Sequence, residues 1–101
     1  MYRDVLYEIK ERLEEGQDII AILEDIDDEV DMGRYGRGFV RHWHEFLVEL
    51  GMCIPMERII YSDIRLKSFR YKGEKYVCLE PFSQLSDEQI GWILSLIEDM
   101  I

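Results

Sequence analysis

The sequence predicts an α+β fold: three N-terminal helices, a β-hairpin with room for a third short strand, and a C-terminal helix. Three observations carry this. Apolar residues recur at helical spacing up to Leu50, and again after Ser86. Between them, alternating residues flank a glycine-containing turn at Gly73-Glu74. The chain has 101 residues, 48% hydrophobic and 34% charged, which suits one globular domain over residues 1–101 and not a disordered segment.

Each element has its own signal. Tyr2, Leu6, Ile9 and Leu13 form the apolar stripe of a first helix, and Gly16 is placed to end it in a left-handed conformation. Asp18 is a good N-cap for a second helix, whose stripe is Ile19, Leu23, Ile26 and Val30. Gly33, Gly36 and Gly38 then read as a loop. A third helix runs from about Phe39 to Leu50 with Gly51 as its cap, burying Phe39, Trp43, Phe46, Leu47 and Leu50.

From Met52 to Ser62 two readings stand: a helical turn opened by Pro55, or a strand at Ile59-Ile60-Tyr61. The hairpin is expected from Ile64 to Tyr71 and from Lys75 to Glu80. Its alternation changes phase at Phe69, which points to a bulge near Ser68. Ser86 and Gln89 form a capping box for the last helix. That helix is apolar over an arc of about 200°, against the roughly 100° a surface helix needs. Its excess face, Trp92, Leu96 and Met100, is expected either to be covered within the domain or to form a homodimer interface.

The chain carries 22 acids and 12 bases, a net charge of −10. That argues against a general nucleic-acid coat and against docking on anionic membranes. Residues 1–32 hold 12 acids and 3 bases, whereas residues 57–75 hold 3 acids and 6 bases. The densest acidic patch is Glu24, Asp25, Asp27, Asp28, Glu29 and Asp31. Crowded carboxylates near a helix C-terminus oppose the helix that carries them, which marks them as a candidate binding surface. No run approaches 18 apolar residues and no signal-peptide stretch opens the chain, and two cysteines cannot build a disulfide scaffold, so the expected compartment is the reducing cytoplasm.

Catalytic and metal chemistry find little support. His42, His44, Cys53 and Cys78 are zinc-ligand types, but no pair has the spacing that closes a zinc site. Asp27, Glu29 and Asp31 imitate the start of a calcium loop, yet Met32 stands where that loop needs Gly and Gly38 where it needs Glu. Neither cysteine sits at a helix N-terminus, so neither reads as a reactive thiolate. The three glycines lack the Lys-Ser/Thr of a phosphate loop. No catalytic residue, metal or cofactor is expected.

Glu15-Gly16 before Asp18-Ile19-Ile20-Ala21-Ile22-Leu23, the run Val40 to Gly51, and Lys72-Gly73-Glu74-Lys75 together resemble a winged helix-turn-helix domain over residues 2–80. The resemblance implies that Arg37, Arg41, His42 and His44 face a DNA major groove. It implies that Lys67, Arg70, Lys72 and Lys75 lie by the flanking phosphates, with Arg34 in the same basic cluster. The long turn from Asp31 to Gly38 departs from the family's tight one.

Two functions are therefore expected from this sequence. The first is a non-enzymatic acidic protein that occupies the basic surface of a partner, such as a nuclease, as phage anti-defence proteins, immunity proteins and DNA mimics do. Glu24, Asp25, Asp27, Asp28, Glu29 and Asp31 would stand in for phosphates, with Tyr35 as an aromatic anchor. The alternative is a winged-helix DNA-binding regulator, dimeric through its last helix.

Overall fold

Asp18 is extended, and its carboxylate accepts from the N–H groups of Ile20 and Ala21 at 3.1 and 3.4 Å. This satisfies two of the donors that a helix start leaves without partners. Ser86 and Gln89 do the same reciprocally for the last helix. A computed structural model describes residues 2–58, 67–78 and 81–100. Its helices are Arg3–Glu14 (α1), Ile19–Asp31 (α2), Arg37–Leu50 (α3) and Asp87–Glu98 (α4). Its strands are Cys53–Pro55 (β1), Ser68–Tyr71 (β2) and Glu74–Cys78 (β3), and single 3₁₀ turns span Met56–Arg58 and Phe82–Gln84. This is the expected α+β arrangement, with the third short strand present as β1.

Three boundaries differ from the sequence reading. Helix α3 starts at Arg37, not Phe39, with Gly36 as N-cap and Gly38 inside the first turn. A helical glycine costs only about 1 kcal/mol, less than the burial of the stripe that follows it yields. The hairpin turn is Lys72-Gly73, one residue before the expected Gly73-Glu74. Both residues have positive φ, +50° and +84°, the type I′ pattern whose twist matches paired strands. Ser68 to Tyr71 pair one-to-one with Val77 to Glu74, so these pairs contain no bulge.

β1 lies at Cys53–Pro55, and the turn after Pro55 is a 3₁₀ turn. The strand expected at Ile59-Ile60-Tyr61 falls outside the described residues, as do hairpin residues 64–66 and 79–80.

The sheet is antiparallel in the order β1-β3-β2. The helices bury Val5, Ile9, Ile22, Leu23, Ile26, Trp43, Phe46 and Ile93 completely. Trp43 is the largest of these, and its Nε1–H donates to Asp27 Oδ1 at 3.0 Å. α4 inserts Ile93 and Ile97 into the same core. Trp92, Leu96 and Met100, the residues assigned to a dimer face, are half-buried against it, and Trp92 stacks on Phe46 at 6.0 Å. The Gln89 side-chain amide donates to the Leu50 carbonyl at 2.9 Å and so joins the start of α4 to the end of α3. No described helix is long and apolar enough to cross a membrane.

Two substitutions test this packing. Trp43→Phe keeps a ring in the core but removes the N–H that Asp27 accepts, and should cost about 1–3 kcal/mol in urea denaturation. Gly51 has φ +89°, so Gly51→Ala should cost about 1 kcal/mol in the same assay. An unchanged midpoint for either variant would contradict the contact it probes.

Candidate functional site

Arg37, Val40, Arg41 and His44 recur at the three- and four-residue steps that put side chains on one face of a helix. That face of α3 meets β2. Together with Tyr35 from the preceding loop, and Arg70 and Tyr71 from β2, these residues line an open groove of about 330 Å³. Two of its lining rings are stacked on neighbours. Tyr35 stacks on Phe39 with ring centroids 3.9 Å apart, and His44 lies flat on Phe69 at 3.9 Å with the planes 6° apart. Phe69 pairs across the hairpin with Tyr76.

Some described basic side chains are paired with acids, whereas Arg3, Arg34, Lys72 and Lys75, like the groove arginines, have no ion pair among the described residues. Arg12 is held by Glu29 at 2.7 Å and Glu8 at 2.9 Å, Lys10 by Glu14, and His42 donates from Nδ1 to Asp4 at 2.9 Å. Lys67 is clamped by Asp27 at 2.7 Å and by Asp31. Among the described residues, none of Arg37, Arg41 and Arg70 has a carboxylate within ion-pair distance. The start of α3 is equally short of negative charge: its N-cap is Gly36, with no side-chain cap and no acid in the first turn. The positive end of a helix dipole and three guanidinium groups thus share one concavity.

The acidic patch divides in two. Asp27 takes the Trp43 N–H and the Lys67 ammonium, and Asp31 shares that ammonium. Burial alone would lower the Lys67 ammonium, but the two carboxylates outweigh it and hold it well above its ordinary range. Glu29 accepts from Arg12 at 2.7 Å and from the Tyr35 hydroxyl at 2.9 Å. Burial would raise its carboxyl, but those two hydrogen bonds prevail and hold it below the ordinary range. Burial and the bond to Glu29 push the Tyr35 hydroxyl up to about 12. Glu24, Asp25 and Asp28 are exposed, with no hydrogen-bond or ion-pair partner among the described residues.

The remaining candidates scatter. His42 turns to α1 and His44 to β2, so the two do not present one recognition face. Lys72 sits over the Tyr71 ring at 5.3 Å, and Arg34 and Lys75 are exposed outside the groove. Cys53 and Cys78 face each other across β1 and β3. The meeting of Arg70 with Arg37 and Arg41 has no local signal, because β2 and α3 are joined only by the fold. No protein-family model, curated protein or solved structure matches this chain.

Guanidinium forks bind planar or tetrahedral anions through paired N–H groups, and tyrosine faces stack on flat rings. Burial lowers the His44 imidazole below its ordinary range, against the opposing pull of Asp27 and Asp31. Folding therefore favours neutral His44. Its contribution to stability is complete above the unfolded value of about 6.5 and is lost as the pH falls through the depressed folded value. His44→Phe keeps a ring on Phe69 and cannot titrate. Between about pH 7.5 and pH 5, urea denaturation should show the wild type losing more stability than this variant. Equal losses would rule out the assigned role.

Proposed function

We propose that the protein is a non-enzymatic binding module that grips the phosphate backbone of nucleic acid in the groove between α3 and β2. The observation that carries this reading is the convergence of Arg37, Arg41 and Arg70, unpaired with any described carboxylate, in a chain where acids outnumber bases 22 to 12. Arg12 alone among the described arginines is paired with carboxylates, so what sets Arg37, Arg41 and Arg70 apart is that they meet in one concavity. Keeping three guanidinium groups apart from that excess costs mutual repulsion, which a bound anion relieves. Tyr35 and Tyr71 line the same groove and add aromatic surface to it.

The reading keeps the basic cluster of the winged-helix alternative but not its docking mode. A recognition helix lays an open face in the major groove. The part of the α3 face that carries His44 is stacked against Phe69 of β2, so the helix does not present that face whole. A single strand threads such a groove more readily than a duplex does. The net charge of −10 opposes long-range attraction, so binding depends on close contacts and is sensitive to salt.

A second reading has its own support. Glu24, Asp25 and Asp28 form an outward edge of α2 that does no work for the described fold. This is the remaining half of the expected phosphate-mimicking surface, and it suits the basic surface of a protein such as a nuclease.

Fluorescence anisotropy with a labelled random-sequence single strand separates the two. Three phosphate contacts on a single strand give a log–log salt slope of about −2, so affinity should fall about 20-fold between about 50 and 200 mM salt. Arg37→Ala, Arg41→Ala and Arg70→Ala should each flatten that slope by about 0.7, and Glu24→Lys with Asp28→Lys should leave affinity equal or higher. Absence of binding at low salt would overturn the groove reading. Capture of a basic protein that is lost in the Glu24→Lys, Asp28→Lys variant would then establish the second.

A further inference from the structure

β1 and β3 place Cys53 directly opposite Cys78. The Cys78 N–H donates to the Lys67 carbonyl at 3.1 Å, on the side away from β1. Its backbone groups are thus spent on the other neighbour, and Cys53 and Cys78 form a non-hydrogen-bonded antiparallel pair. Opposed Cα atoms in such a pair are about 4.5 Å apart, within the span that a disulfide bridges. Both thiols are free, and their sulfurs are in contact at 2.6 Å. Cys53 is only 5% exposed, whereas Cys78 is half-buried and so the more accessible of the two.

We propose that Cys53 and Cys78 are a redox-active dithiol, closed to an intramolecular disulfide by exchange with a small disulfide of the oxidised-glutathione class. Cys78 attacks one sulfur of that reagent, forms a mixed disulfide, and releases one small thiolate, which takes up a proton. Cys53 then gives up its proton to solvent and attacks Cys78 Sγ, expelling the second small thiol. Two protein thiols are oxidised and one external disulfide is reduced to two thiols, so no other reactant enters. The order of attack follows from the environment. The Cys53 S–H donates to Cys78 and holds its thiol below the ordinary range despite burial, with Lys67 assisting and Asp27 and Asp31 opposing. The bond to Cys78 and burial push the Cys53 thiol up.

The bridge would tie Cys53, two residues beyond the Gly51 cap of α3, to the central strand. It is independent of what the groove binds, because it rests on the β1–β3 register alone.

Intact-mass spectrometry of the native protein with oxidised glutathione, quenched by an alkylating agent, is the test. The wild type should lose about 2 Da, take up no alkyl group and form no disulfide-linked dimer. Its melting temperature should rise by on the order of 10 °C and return with dithiothreitol. Cys53→Ala should hold one glutathione on Cys78, since the resolving thiol is gone. Persistence of a glutathione adduct on the wild type, disulfide-linked dimers, or two thiols still open to alkylation would each overturn the proposal.

Discussion

The carboxylate of Asp27 is the junction on which the fold and its groove both depend. Trp43 is the largest side chain in the core, and its indole N–H needs an acceptor where water does not reach. Asp27 supplies one from α2, and its second oxygen takes the ammonium of Lys67, which immediately precedes β2. One side chain thereby fastens α2, α3 and the hairpin to each other. The interaction is neither a bare buried charge nor a surface ion pair: the carboxylate is 19% exposed and serves two donors. A charge-assisted hydrogen bond into a core is worth more than an exposed ion pair because its partner has no water to fall back on.

That junction explains how an acidic protein keeps a basic concavity. Asp27, Glu29 and Asp31 are turned inward or sideways by Trp43, Lys67, Arg12 and Tyr35. Glu24, Asp25 and Asp28 remain exposed. The hairpin, drawn down by Lys67, brings Arg70 and Tyr71 against α3, where Arg37 and Arg41 already share a face. The separation of the two charge signs is a product of tertiary structure. The same approach of β2 seats Phe69 on His44 and half-buries that imidazole, which favours its neutral form.

The elements were legible where their signals are local. The caps at Asp18, Gly51 and Ser86 lie within a few residues of the groups they satisfy, and the helical stripes repeat within single helices. β1 was harder, since three residues after a glycine cap carry no periodicity and become a strand only because β3 pairs with them. The roles of the acids were least legible. Asp27 meets Trp43 across 16 positions and Lys67 across 40, so a run of carboxylates reads as one patch until its cations arrive from elsewhere. The cross-strand cysteines were hidden in the same way, being 25 residues apart in sequence and in contact in space.

The central claim is that an anionic partner lands in the α3–β2 groove. Amide and arginine side-chain NMR spectra, recorded while a short single-stranded oligonucleotide is added, test it at the level of residues. The account predicts shifts concentrated at Arg37, Arg41, Arg70 and Tyr71, with the signals of Glu24, Asp25 and Asp28 in place. Shifts centred on α2, or uniform small changes that never saturate, would contradict it.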